Sequence, residues 1–502
     1  MKVDRPDLLL VTPPSRVQVY QSLSNDLAAL EPPVWSTLIA TVARNQGYGV
    51  SILDAEARNL THQETASEIV NAKARLTVFV IYGQQPSAST QCMPAGRIVS
   101  ALVRESAPEL ALLVMGTHAS ALPERTLTEE PYQFVCEGEG PQTILGLLQV
   151  LKSAHPDYSK VPGLWFLQDG QMHRNPPAAK MNDLDTSLPG QAWDLLDMSL
   201  YRAHNWHCFA DIEHRKPYAS LQTSLGCPYK CSFCCINAPF GSAGIRYWSP
   251  EHIVKEIDTL VTRYGVKNIK IPDEMFVLNE QHVLGICDAI IARGYSLNIW
   301  AYARVDTIRD KFLDKLQRAG FQWLGLGIES KSKHVREGVQ KGKFQDEQIA
   351  QVVSKVQSAG INVGANSVFG LPDDTLESMK ETLDLALELN TEWANFYGAM
   401  AYPGSPLYRT ALEKKWALPE TWLGYSQHAF ESLPLPTDAL SGSQVLAFRD
   451  KAFQTYFTSP RYLSMIGEKF GTAVVQHVKA MTVHQIPRKF FEKSREFHQI
   501  DR

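Results

Sequence analysis

A chain of 502 residues with a formal net charge of only −4 has no large excess of either sign. Without a basic or acidic bias, nucleic acid and anionic membrane surfaces are not its expected partners. Long apolar runs are also missing. After the polar opening Met1–Asp7, the first apolar stretch, Leu8-Leu9-Leu10-Val11, is too short for a signal sequence or a membrane span. Cysteine is sparse: eight in the whole chain do not make a secreted disulfide framework, and the scatter of Cys92, Cys136, Cys208, Cys235 and Cys287 suits a reducing, cytoplasmic setting. There is no Walker loop, no zinc-protease helix motif and no repeat within a domain. Hydrophobic content of 44% and charged content of 20% are those of an ordinary globular chain, with length for two or three domains.

The remaining cysteines are concentrated. Cys227, Cys231 and Cys234 lie at a C-x3-C-x2-C spacing within Leu225-Gly226-Cys227-Pro228-Tyr229-Lys230-Cys231-Ser232-Phe233-Cys234. The apolar and hydroxylic run Tyr218 to Ser224 reads as a strand, which puts the cysteines on the loop at its end. Thiolates this close on one loop suit a soft metal centre: an iron–sulfur cluster, zinc or Cu(I). Structural zinc normally takes a fourth protein ligand. A [4Fe–4S] cluster on three cysteines leaves one iron open for a further ligand. The bland reading is three core thiols. Cys235 falls outside the spacing and reads as a packed thiol, or a residue near the substrate, rather than a fourth ligand.

Two stretches alternate strands with helices. Between residues 7 and 150 the strands are Leu8–Val11, Val50–Asp54, Leu76–Ile81, Leu110–Gly116 and Phe134–Cys136, with helices over 33–45 and 142–152. Continuous apolar strands of this kind imply a doubly wound parallel sheet, whose ligands sit at the carboxyl ends of the strands. Those ends carry Thr12 and Pro13, Asp54, Tyr82 and Gly83, Gly116-Thr117-His118, and Glu137 with Gly138. Residues 153–205 form a linker with a hairpin at Asp169-Gly170. From 206 to 410 the strand–helix unit recurs, with strands ending at Asp273-Glu274, Arg304, Glu329-Ser330, Gly370 and Tyr402. Ser249 with Pro250 starts one of the helices. The charged run Lys331–Lys343 reads as solvated, and 411–502 as a mainly helical C-terminal region.

The cysteine loop resembles the C-x3-C-x-aromatic-C signature of the radical S-adenosylmethionine (SAM) enzymes, with Phe233 at the aromatic position. That resemblance implies a [4Fe–4S] cluster held by Cys227, Cys231 and Cys234, with SAM on the open iron. It also implies a partial (β/α)6 TIM-type barrel over 206–410. Asp273 and Glu274 would then meet the SAM amino group, Arg304 a carboxylate, and Glu329 and Ser330 the ribose or methionine part. Gly364–Gly370 would lie along the adenine, and Tyr402 would face the substrate in a catalytic role. Residues 1–152 resemble the Rossmann-like cobalamin-binding domain that precedes many radical SAM barrels, with Thr12, Pro13, Asp54, Tyr82, Gly83, Gly116, Thr117, His118, Glu137 and Gly138 as candidate cofactor contacts. The D-x-H-x-x-G motif that ligates cobalt in other cobalamin proteins is absent, and His118 sits in a different turn.

Together these resemble the cobalamin-dependent, class B radical SAM methyltransferases. Such an enzyme would use a 5′-deoxyadenosyl radical and methylcobalamin to methylate an unactivated carbon of a small molecule, in natural-product or lipid biosynthesis. It would draw electrons from a donor such as flavodoxin or ferredoxin. The alternatives are a non-methylating rearrangement, cyclisation or oxidation with the same cofactors, and a non-catalytic Fe–S binding protein.

Overall fold

A computed structural model describes residues 5–24, 27–83, 85, 87–342 and 344–490. Strands β1 (Leu8–Thr12), β2 (Val50–Asp54), β3 (Leu76–Val80), β4 (Leu112–Met115) and β5 (Phe134–Cys136) are parallel, in the order 2-1-3-4-5. Each is apolar on both faces because helices cover both sides, as over Leu38, Val99 and Leu147. The sheet does not stop at residue 152. β6 (Leu164–Gln168) pairs antiparallel with β5, and β7 (Gln171–Arg174) with β6, so the hairpin expected in the linker is the sheet's edge.

The chain then returns along the first unit. Tyr201 donates its hydroxyl to Asp54 at 2.9 Å, and Leu30 bridges to Arg202. It enters a six-stranded parallel sheet of β8 (Tyr218–Ser220), β11 (Asn268–Ile271), β12 (Asn298–Arg304), β13 (Phe321–Glu329), β14 (Asn362–Phe369) and β15 (Trp393–Gly398), in sequence order and curled into an open half-barrel. Between β8 and β11 lies an antiparallel ribbon of β9 (Ser224–Cys227) and β10 (Gly244–Tyr247). The single strand expected over 218–224 is therefore two strands separated by a turn.

The crossover helices are capped as their sequences require. Ser249 accepts from the His252 N–H at 3.1 Å and Gly265 ends that helix in the left-handed region at φ +66°. Apolar residues facing outward on the half-barrel, such as Ile269, Ala301 and Leu326, pack under these helices. They share one continuous core with Leu38, Trp193 and Trp248 from the first unit and the linker. C-terminal helices Gly442–Phe457, Pro460–Phe470 and Thr472–Val483 brace the β15 edge, where the Tyr456 and Tyr462 hydroxyls donate to the Thr391 and Glu392 carbonyls. No helix among the described residues is long and apolar enough to cross a membrane.

Gly116 closes β4 with φ +146°, and a Cβ there would stand 2.0 Å from the Ile81 carbonyl oxygen. Both the dihedral and the approach of the two strand ends demand glycine. Gly116→Ala is expected to cost about 3 kcal/mol of unfolding free energy in urea titrations; a loss under about 1 kcal/mol would mean the strand ends can separate.

Candidate functional site

The cysteine loop is shaped from both ends. Gly226, at φ +87°, brings the backbone so near Gly244 that a Cβ would lie 2.5 Å from its carbonyl oxygen, and this tight ribbon delivers Cys227 to the loop. Asn237 closes the far end by donating to the Cys227 carbonyl at 3.2 Å. In the middle, Ser232 donates its N–H to the Val339 carbonyl and accepts from the Leu407 N–H. All three cysteines are free thiols. Burial pushes the Cys227 thiol up to about 11 and holds Cys234 well above the ordinary thiol range.

Two cations flank the loop. Arg304 stacks 3.9 Å from the Tyr229 ring centre, pairs with Asp306 at 2.8 Å and points Nη1 to the Cys231 sulfur at 3.6 Å. Lys341, 7% exposed, pairs with Glu329, itself 6% exposed and at φ +66°. Lys341 belongs to the run expected to be solvated, and Arg336 in the same run is fully buried; the expectation is corrected for these two, while Lys333, His334 and Glu337 are exposed as expected and Lys343 lies outside the described residues. The run turns inward because Glu329 and the carbonyls of Ser330, Lys331 and Phe344 await these cations.

Asp273 and Glu274 divide their work. Asp273 accepts from the Thr223 N–H and from the Thr223 and Ser224 hydroxyls, fixing the turn before the ribbon. Burial raises it to about 6 against those bonds. Glu274 makes no hydrogen bond among the described residues, and burial raises it to about 7 with Lys341 and Lys270 opposing. It faces a cavity of about 170 Å³. Ser330 is turned away: its hydroxyl lies 3.3 Å from that of Thr382 and accepts from the Ser332 N–H. Phe233 and Tyr402 both pack against the cluster of Met400, Leu407 and Tyr425, and the Tyr402 hydroxyl accepts from Gln427 Nε2 at 3.4 Å.

The opposite wall of the 170 Å³ cavity comes from the first sheet. Thr12, Pro13, Tyr82, Gly83 and Thr117 all line it. The hydroxyls of Thr12, Tyr82 and Thr117 are buried there with no hydrogen-bond partner among the described residues. Unpaired buried hydroxyls aligned on strand ends fit a ligand rich in amide groups, as the corrin periphery is. Asp54, Gly116, His118, Glu137 and Gly138 are not among the lining residues. Asp54 is taken by Tyr201 and the Ala57 N–H. His118 turns to Thr90 and packs edge-on against Trp422 at 4.5 Å, and burial lowers its ring to about 3. Glu137 takes the Trp165 indole and Arg174, and Gly138 bonds Ser120. Glu56, not singled out from sequence, lines the cavity instead and gathers the Ser15 N–H, the Ser15 hydroxyl and the Arg16 N–H.

Beside this gap a chamber of about 1130 Å³ fills the half-barrel, and the two share Tyr20, Gln85, Ala88 and Gln91. Tyr402 lines the chamber. Among the described residues no group of His, Cys, Asp and Glu converges on a single-ion position. A [4Fe–4S] cluster does not require that, since each thiolate binds its own iron and the sulfurs stand a cluster's width apart. Three free cysteines on a pinned loop beside two cations fit an anionic cluster.

Residues 221–386 match the model of the Radical SAM superfamily, and residues 23–148 that of the B12 binding domain. An uncharacterized methyltransferase of Pyrococcus horikoshii is 25% identical over 91% of this chain and 93% of its own. The anaerobic magnesium-protoporphyrin IX monomethyl ester cyclase of Rubrivivax gelatinosus is 24% identical over 88% of this chain and 77% of its own. Among solved structures, the cobalamin-dependent S-adenosylmethionine radical enzyme OxsB, with aqua-cobalamin and S-adenosylmethionine bound, superposes with a TM-score of 0.69 at 16% identity, over 95% of this chain and 72% of that one.

Asp54 gives a pH prediction. Burial raises its carboxyl to about 7, far above an unfolded carboxylate, so the folded state binds the extra proton and stability falls as pH rises from about 4 through 7. Asp54→Asn is expected to flatten that decline by about 1–2 kcal/mol between pH 5 and 7 in urea unfolding. An unchanged slope would show that Asp54 ionises freely in the fold.

Proposed function

With its B12-binding domain joined to a radical SAM domain, the chain is a cobalamin-dependent radical SAM enzyme, and we propose that it methylates an unactivated carbon of a small molecule. The observation that carries this reading is the shared cavity. Strand ends of the first sheet and of the half-barrel face each other across one small gap, which adjoins the substrate-sized chamber. A radical formed on one wall and a methyl donor on the other would then reach the same carbon. When bound, the cluster with SAM supplies the hydrogen-abstracting 5′-deoxyadenosyl radical, and methylcobalamin supplies the methyl group.

In this reading Cys227, Cys231 and Cys234 hold the cluster, and Phe233 keeps the open side of the loop apolar. Arg304 and Lys341 offset the cluster's negative charge. Glu274, free of other bonds, takes the SAM ammonium, while Asp273 is a positioning residue for the Thr223–Ser224 turn. Glu329 reaches the methionine part by exchanging Lys341 for it. Thr12, Tyr82 and Thr117 give their unpaired hydroxyls to cobalamin from the opposite wall. Tyr402, on the chamber wall, faces the substrate. A cytoplasmic setting and a flavodoxin or ferredoxin donor go with this chemistry. Methylation is favoured over cyclisation because the methyltransferase relative aligns over 93% of its length and the cyclase over 77%.

The test is anaerobic. The protein is reconstituted with iron, sulfide and cobalamin, reduced, and given SAM; 5′-deoxyadenosine and a methylcobalamin spectrum are expected together. Serine at Cys227, Cys231 or Cys234 is expected to lower bound iron and reduce deoxyadenosine to background. Deoxyadenosine without cobalamin binding would sink the methylation reading, and no SAM cleavage by a fully loaded protein would leave only an Fe–S binding protein. Glu274→Gln is expected to weaken SAM binding about 10- to 100-fold, the worth of a charge-assisted hydrogen bond, with iron content unchanged. Unaltered SAM affinity would remove Glu274 from the site.

A further inference from the structure

One side of the chamber is closed by segments that follow β15. β15 is the last strand of its sheet, so the carbonyls on its outer edge have no strand to pair with. Arg449, in helix Gly442–Phe457 and 6% exposed, meets this edge by donating Nε to the Phe396 carbonyl at 2.7 Å. Its Nη1 donates to Asp450 at 2.7 Å. Arg488 holds the same carboxylate with two bonds, from Nε and Nη2, each at 3.0 Å. It also donates Nη1 and Nη2 to the Ala429 and Gln427 carbonyls. Burial opposes ionisation of Asp450, yet the two guanidiniums hold its carboxyl below the usual range. One carboxylate thus stands between two cations, and one positive charge is left over.

That surplus falls on Arg449, because every nitrogen of Arg488 is engaged. Arg449 Nη2 makes no hydrogen bond among the described residues, and the side chain lines the chamber. Tyr397, the residue after Phe396, lines it too, and its hydroxyl has no hydrogen-bond partner among the described residues. Burial pushes this phenol up to about 12 against the pull of the Arg449 charge, so it stays a neutral donor. Asp450 is the only carboxylate on the chamber wall among the described residues. Phe453, one turn further along the helix, and Met481 line the chamber with apolar surface. The His428 ring, between the two carbonyls that Arg488 clamps, lies 5.6 Å from that of Tyr20, which lines both the chamber and the gap. Arg488, His428 and Tyr20 thus form a chain of contacts from Asp450 to the gap.

Resting on the proposed function, which makes this chamber the substrate site, we propose that the substrate carries an anionic oxygen group, a carboxylate or a phosphate, held by Arg449 Nη2 and the Tyr397 hydroxyl, with an apolar body running toward the gap. A buried guanidinium whose charge the protein leaves unmatched favours an anion brought by the ligand. Anchoring the substrate at this end leaves its apolar part to meet the reacting groups. Arg449, Tyr397, Asp450 and Arg488 all follow residue 386, where the match to the Radical SAM model ends, and none belongs to the strand ends given to SAM above.

The test uses octanoate, octyl phosphate and the neutral octanamide in equilibrium dialysis against the unreduced protein loaded with cluster and cobalamin, with and without saturating SAM. At least one anion is expected to bind about 10- to 100-fold tighter than octanamide, the worth of a charge-assisted hydrogen bond, and the larger advantage tells carboxylate from phosphate. SAM is expected to leave the binding of that anion unchanged. Arg449→Gln is expected to abolish the advantage while octanamide still binds, with the thermal midpoint and the cobalamin spectrum as checks of folding. Should that variant not fold, Tyr397→Phe, which leaves the Arg449 contacts in place, is expected to cut the advantage about 3- to 10-fold. Equal binding of the three probes, an advantage that survives the substitution, or displacement of the anion by SAM, which would give Arg449 to SAM, would overturn the inference. Dialysis needs no turnover, so the two readings fail separately. SAM cleavage without an advantage for either anion sinks this one, and an anion advantage without SAM cleavage in the reduced protein sinks the proposed function.

Discussion

Lys270 and Glu31 form a buried ion pair on which the arrangement of the two units turns. Both carboxylate oxygens of Glu31 accept from Lys270 Nζ, at 2.9 and 3.0 Å, with side chains only 3% and 8% exposed. Glu31 comes from the first unit and lines the small gap; Lys270 sits on β11 and lines the chamber. Burying either charge alone would cost several kcal/mol, so each holds the other in place and fixes how the two sheets meet. The contact is more specific than the apolar core that surrounds it, because an ion pair tolerates little sliding. The Trp300 ring, 5.1 Å from Nζ, covers the cation from the chamber side.

From this contact the division of the site follows. Open parallel sheets leave their binding loops at the carboxyl ends of the strands. When two such sheets meet with those ends facing, the loops form opposite walls of one space. The first sheet contributes small groups and unpaired hydroxyls; the half-barrel side contributes Asp273, the free carboxylate of Glu274 and Gly226, the residue that leads into the cysteine loop. The walls differ because their proposed ligands differ: a large amide-bearing ring on one side, an anionic cluster with a zwitterion on the other. Burial holds Glu274 near 7, so its charge is easily stabilised by an ammonium brought beside it.

Much of this was legible in the residues. Continuous apolar strands alternating with helices revealed both parallel sheets, and the Cys227–Cys234 spacing pointed to a soft metal centre that the family resemblance narrowed to a [4Fe–4S] cluster. What stayed hidden was side-chain direction. Asp54 and Glu56 are two residues apart at the same strand end, yet the first faces the linker's Tyr201 and the second the cavity; no local pattern tells them apart. His118 occupies the expected turn but is consumed by packing against Trp422, from a segment some 300 residues later. Lys341 looked solvated because its neighbours are charged, and only the position of Glu329 draws it inward.

The measurement that tests the central claim most directly is the magnetic coupling between the two cofactors. The protein is loaded anaerobically with cluster and cobalamin, brought to the state containing both cob(II)alamin and the reduced cluster, and examined by electron paramagnetic resonance. If both sites line one small gap, each signal is broadened or split by the other, and oxidising the cluster restores the isolated cobalt spectrum. Two independent signals, each identical to that of the protein carrying one cofactor, would contradict the account.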